Sequence, residues 1–174
     1  MPAPLQSLNA SILGPFKLSL APVDLSPPSR LQSGAHARLS LFVDTSVWSL
    51  ALRRDSASST KEVGVLVHAI EIGEIILTTG LVLQELLQGF SGPKAREQIL
   101  DRFSAVPLLV PDRDDHILAA ELRNRCRRSG IQIGTIDALL AQLCIRHDLT
   151  MLATDNDFKH IASRCPLKVW QQSA

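Results

Sequence analysis

The chain has no tyrosine, only 4% aromatic residues, and three cysteines (Cys126, Cys144, Cys165), an odd number without a CxxC pair. Neither a disulfide framework nor a thiolate zinc site is suggested, and reduced thiols fit a cytoplasmic protein. No stretch approaches the run of about 18 apolar residues that would span a bilayer. The richest segment, 75–87, is broken by Thr78, Thr79, Gly80, Gln84 and Glu85. Charge of one sign is also missing: the net charge at pH 7 is +1, so bulk electrostatics neither recruits nor repels a polyanion. The five histidines show no metal-ligand spacing. What is present is 45% hydrophobic and 20% charged residues over 174 positions, enough apolar material for one sizeable core and too much for a disordered chain.

The ends differ from the middle. Residues 1–38 hold six of the ten prolines and only four formal charges, Lys17, Asp24, Arg30 and Arg38. No apolar periodicity survives there, and no basic start precedes an apolar run as a secretory signal would require. These residues read as a flexible arm, or as sequence upstream of the true start codon. The arm carries +2, which leaves −1 for the folded part, residues 39–174.

From Leu39 onward short apolar runs alternate with longer helical ones, the pattern of βα units around a parallel sheet of about four to five strands. Residues 39–43 suit a buried central strand, with Thr45 or Ser46 placed to cap the helix that follows. Residues 53–60 read as a loop and 61–72 as a helix stopped by Gly73. A strand at 75–77, helices at 80–90 and 93–104, and a strand at 108–110 come next. Asp112 and Asp115 resemble a capping arrangement for a helix that stops at Gly130. Thr135 is placed to cap a helix over 136–147, before strands at 151–153 and 167–170 that flank a short helix.

Four carboxylates fall where such a sheet presents its ligand crevice, beyond the carboxyl ends of strands and at helix starts. Asp44 ends the first strand, Asp155 ends the fourth, and Asp137 lies in the first turn of its helix. Glu85 sits mid-helix beside the apolar face of Val82, Leu86 and Phe90. An Asp after a strand is most often a turn residue, and a Glu on a helix is most often solvated. Asp137, however, shares a face with Ala141 and Cys144 and should point inward. Four ionised carboxylates in one pocket would repel by roughly 3 kcal/mol per pair at about 5 Å. A positive group must sit among them, and oxygen-only ligands suit Mg²⁺ or Mn²⁺. Such ions activate water for attack on a phosphodiester.

These residues resemble PIN-domain ribonucleases, and especially the toxin subunits of VapBC toxin-antitoxin pairs. The likeness rests on Phe42-Val43-Asp44-Thr45-Ser46, Leu83-Gln84-Glu85-Leu86-Leu87-Gln88-Gly89, Gly134-Thr135-Ile136-Asp137-Ala138-Leu139-Leu140-Ala141 and Leu152-Ala153-Thr154-Asp155-Asn156-Asp157-Phe158, in that order across residues 39–174. It implies a three-layer α/β/α fold and a metal-dependent endoribonuclease. It further implies that Asp44, Glu85, Asp137 and Asp155 bind the metal, with Asp157 as an accessory acid. Thr45, Ser46 and Thr154 match the family's small hydroxyl residues near the first and last acids. RNA is the implied substrate and a small antitoxin the implied partner. The arm before Leu39 departs from typical toxin subunits.

The apolar density of helix 61–72 suggests surface for a homodimer or an antitoxin peptide. Arg123, Arg125, Arg127 and Arg128 form a basic run suited either to RNA phosphates or to a solvated helix end, and Arg53 and Arg54 carry the same ambiguity. Trp48 and Trp170 read as packing residues. A haloacid-dehalogenase-type phosphatase would need an Asp where Ser46 stands, and a receiver domain would need an acidic pair after the first strand. The remaining alternatives are a PIN nuclease of RNA processing outside any toxin pair and a non-catalytic RNA-binding PIN module.

Overall fold

The run Leu41-Phe42-Val43 is apolar on both faces, and in the computed structural model all three side chains are fully buried, as the central strand of a parallel sheet requires. The structure describes residues 40–53, 60–90 and 92–171. The arm at 1–38, Leu39 and Arg54 lie outside the described residues. The described elements run β1 (Ser40–Val43), α1 (Thr45–Leu52), α2 (Lys61–Glu71), β2 (Ile75–Thr79), α3 (Gly80–Gly89), α4 (Pro93–Phe103), β3 (Leu108–Leu109), α5 (Arg113–Arg128), α6 (Thr135–Arg146), β4 (Thr150–Leu152), α7 (Asp157–Ala162) and β5 (Lys168–Val169).

The five strands form one sheet in the order β3-β2-β1-β4-β5, and every pairing is parallel. Phe42 stands opposite Leu77 on one side and Met151 on the other. The chain leaves β1 towards β2 and returns to pair β4 on β1's opposite edge. The carboxyl ends of β1 and β4 therefore flank the point where strand order reverses, which is where open α/β sheets form their crevice.

Local chemistry accounts for the helix boundaries. Gly73 and Gly130 take positive φ (72° and 78°) just past α2 and α5, the left-handed stop that a Cβ disfavours. Thr79 caps α3, its hydroxyl accepting from the Val82 amide at 3.4 Å. Asp112 and Asp115 form a reciprocal capping box at the start of α5, each carboxylate accepting the other's backbone N–H at 2.9 Å. Arg146, at the end of α6, clamps this box with contacts of 2.6 Å to Asp112 and 2.9 Å to Asp115.

Two caps differ from the sequence expectation. Asp44, not Thr45 or Ser46, caps α1: its backbone stays extended and its carboxylate accepts from the Ser46 amide at 3.0 Å. The hydroxyls of Thr45 and Ser46 are engaged by other elements instead. Gly134, not Thr135, is the N-cap of α6, and Thr135 is the first helical residue. Gly134 has no side chain to accept a bond, so the capping contact comes from Asp137.

The α2 surplus is largely consumed by the core. Val63, Leu66 and Ala69 are buried, and Val65, Val67 and Ile70 are half-buried against the same cluster. Ile72 is the large apolar side chain left exposed at its end. Trp48 is buried with its ring 4.9 Å from that of Phe103, and Trp170 is half-buried at the rim of the core.

Candidate active site

The end of β1 is fixed from both neighbouring strands. The Thr78 hydroxyl of β2 donates to the Val43 carbonyl at 3.2 Å, and the Asp44 amide donates to the Leu152 carbonyl of β4 at 3.0 Å. Asp44 is thus held at the sheet's carboxyl edge with 8% of its surface exposed. Its neighbours extend the network outward. Thr45 Oγ1 donates to Glu85 Oε2 at 2.5 Å, linking α1 to α3, and Ser46 Oγ accepts from the Thr154 amide at 3.1 Å, linking α1 to the segment after β4.

The other acids approach the same edge. Asp137 is half-buried in the first turn of α6, with Oδ2 accepting from the Gly134 amide at 3.2 Å. A Cβ on Gly134 would lie 2.6 Å from that oxygen, so a larger residue there would make the Asp137 carboxylate shift. The inward orientation expected for Asp137 follows from its face: Ala141 and Cys144 beneath it are fully buried against the sheet. Asp155 accepts from the Asp157 amide at 3.1 Å, and both residues stand at the exposed start of α7.

Electrostatics shows which carboxylates are neighbours. Burial raises the pKa of Asp137, and the charges of Asp44, Asp155 and Asp157 raise it further against the opposing Gly134 N–H. Asp155, though exposed, is raised by partial desolvation and then by Asp44 and Asp157, against backbone N–H bonds from Asp157 and Phe158. Burial pushes the Cys144 thiol up and Asp44 adds to it, so Asp44 faces α6 as well as β4. Asp44, Asp137, Asp155 and Asp157 therefore share one acidic field, and Glu85 is tied to the residue after Asp44 by the Thr45 hydroxyl.

Among the described residues, no ion pair engages any of these five acids. Nor do any three His, Cys, Asp or Glu side chains among them already close around a cation-sized space. The chemistry of the donor set nonetheless fits a hard divalent cation: it is all oxygen, and the charges that raise Asp137 and Asp155 would be relieved by one.

Sequence reasoning missed two supports. The Thr78 hydroxyl bond could have been suspected from paired threonines at a strand end. Arg123 is the other: its Nε–H donates to the Ile133 carbonyl at 3.0 Å, a specific backbone contact where the sequence suggested phosphate or solvent.

Solved structures share this fold at low identity. A chain of FitAcB from Neisseria gonorrhoeae aligns with a TM-score of 0.57 and 19% identity over 75% of this chain and 96% of that one. A chain of VapBC2 from Rickettsia felis, bound to a DNA fragment from its promoter, gives 0.58 and 19% over 78% and 100%. Mycobacterium tuberculosis VapC20, a Sarcin-Ricin loop cleaving toxin, gives 0.52 and 21% over 74% and 99%. The PIN domain family model matches residues 41–164; with the acidic edge of a five-stranded parallel sheet in place, the chain belongs to the PIN domain family.

Proposed function

We propose that this protein is a Mg²⁺- or Mn²⁺-dependent endoribonuclease and the toxin component of a type II toxin-antitoxin pair, acting in the cytoplasm. The observation that carries the reading is the cluster of acids at the β1/β4 crevice, where burial raises Asp137 and Asp155 and the charges of Asp44 and Asp157 raise them further. Such a cluster opposes folding on its own, and its cost is explained by a bound cation.

Asp44, Glu85, Asp137 and Asp155 would hold the ion, with Asp157 as an outer acid. When bound, a divalent cation lowers the pKa of its water and neutralises charge on a phosphodiester. The chain's own residues do the orienting. Thr45 holds the Glu85 carboxylate, the Gly134 amide holds one oxygen of Asp137, and the Asp157 amide holds one oxygen of Asp155. Each carboxylate is thus anchored through one oxygen. The Ser46–Thr154 bond ties the start of α1 to the segment after β4.

Purified protein should cleave structured RNA with added Mg²⁺ or Mn²⁺ and stop with EDTA; cleavage undiminished by EDTA would sink the mechanism. The toxin assignment rests on the resemblance and on the shared fold of the VapBC and FitAcB chains. Homodimerisation and an inhibitory antitoxin belong to the same reading. Co-expression with the product of an adjoining small gene should yield a complex that suppresses cleavage. If nothing binds and expression of this chain alone leaves growth unchanged, a PIN nuclease of RNA processing is the better reading.

A further inference from the structure

Arg123 stands on α5, yet its bond reaches the segment that delivers Asp137. The chain from α5 to α6 is secured at its start by the Ser129 and Ile131 amides, which donate to the Cys126 carbonyl at 2.9 and 3.0 Å. It is secured again inside α6, where the Ala138 amide donates to the Gly134 carbonyl at 3.1 Å. Between these anchors, among the described residues, the Arg123 Nε–H bond to the Ile133 carbonyl is the hydrogen bond that reaches 132–134 from another element. Ile133 directly precedes Gly134, whose amide holds Asp137 Oδ2. That oxygen occupies the space a Cβ on Gly134 would need, so the carboxylate sits directly against the loop's backbone.

We propose that Arg123 is a positioning residue for Asp137. It fixes the loop at 131–134 so that Gly134 presents its amide to the carboxylate, and the carboxylate's orientation in the acidic cluster follows from the loop. The functional consequence rests on the nuclease reading above; the structural one does not.

The role assigns the work to the inner guanidinium nitrogen, which makes an unusual substitution pattern diagnostic. Glutamine carries its Nε2 the same number of bonds from Cα as arginine carries Nε, so Arg123→Gln can rebuild the bond without charge. Lysine keeps the charge but places its nitrogen one bond further out. Leucine removes both. A residue acting as a phosphate-binding charge would give the opposite order, with Lys tolerated and Gln as damaging as Leu.

The test uses the full chain and three readouts: amide hydrogen exchange over 131–137, Mn²⁺ affinity by electron paramagnetic resonance, and kcat and KM for RNA cleavage. In Arg123→Leu, loop exchange should quicken about tenfold and Mn²⁺ affinity fall about tenfold, as loss of an orienting contact does. Its kcat should fall while KM stays within about twofold. Arg123→Gln should return all three towards the parent values and serve as the folded control. Parent-like loop exchange and Mn²⁺ affinity in the Leu variant would overturn the proposal. So would a raised KM shared by Gln and Leu but absent in Lys, which would make Arg123 a phosphate contact. If the exchange pattern holds while the parent chain binds no Mn²⁺, the positioning role stands and the nuclease reading fails.

Discussion

Two groups of acids in this molecule meet opposite fates. At the start of α5, Asp112 and Asp115 exchange backbone bonds and are clamped by Arg146. Asp112 is held down to about 2, first by the Asp115 N–H and then by Arg146, and Arg146 is itself held more firmly protonated by both acids. At the β1/β4 crevice, Asp137 and Asp155 are raised, and their neighbours in charge are further acids. The residue type is the same in both places. The first group is neutralised by Arg146 and serves the fold, whereas among the described residues no ion pair engages the second.

That contrast breaks most sharply under neutralisation of one acid. Asp137→Asn should cut RNA cleavage by at least about a hundredfold, the scale of several kcal/mol of lost metal-assisted stabilisation. Its melting temperature should hold or rise, because a charge disfavoured by burial and like neighbours is removed while the amide oxygen can still accept from Gly134. A large fall in melting temperature would place Asp137 with the structural acids instead.

Asp115→Ala should do the reverse. Asp115 is 1% exposed, and its loss removes half of the capping box and leaves Arg146 without its buried partner. We expect about 2 kcal/mol of destabilisation by denaturant unfolding, reduced from a fully buried pair because Arg146 is partly solvated. Mn²⁺ affinity should be unchanged, and a matching loss of affinity would erase the distinction between the groups.

Gly134→Ala sharpens it from the crevice side. The added methyl would displace Asp137 Oδ2, so cleavage should fall about tenfold with little change in melting temperature.

The smallest effect is in acid. Asp112 has its folded pKa below the ordinary value of 3.8, so its contribution to stability is fully present above about pH 4 and is lost as pH falls towards about 2. The raised Asp137 and Asp155 have the opposite sign: their penalty is present at neutral pH and lifts as they protonate. Melting temperature should therefore hold or rise on mild acidification and then fall below about pH 4. Asp112→Asn should flatten only that lower limb; an unchanged limb would mean that Asp112 does not govern it.

Much of this was legible in the sequence because local chemistry and global architecture agree. The unbroken apolar run before Asp44 could only be a strand buried on both faces, and Gly73 and Gly130 marked helix ends that took positive φ. The positions of Asp44, Asp137 and Asp155 at strand ends and a helix start followed from alternation alone. The α1 cap escapes local reading because its hydroxyls have distant uses: Thr45 serves Glu85, 40 residues on, and Ser46 serves Thr154, 108 residues on. Arg123 was illegible for a related reason, since only the fold of 129–134 reveals which carbonyl lies within its reach. The α2 residues read as spare surface because a helical pattern does not say how much of its girth a neighbouring helix and sheet will cover.

The order β3-β2-β1-β4-β5 has a temporal side. β1 pairs with β2 after a short excursion, but its other edge waits for Met151 and Leu152. Closing so long a loop is entropically slow, so long-range pairings of this kind form late. We expect the seam between β1 and β4 to be the last part of the sheet to zip, with the Asp44 amide among the last to gain protection in pulse-labelled exchange during refolding. Early protection of that amide would refute the order. If the seam does close last, a growing chain on the ribosome has no assembled acidic crevice until Asp155 and Asp157 have emerged. The acidic edge then appears all at once, as its last acids arrive, beside strands that have already paired.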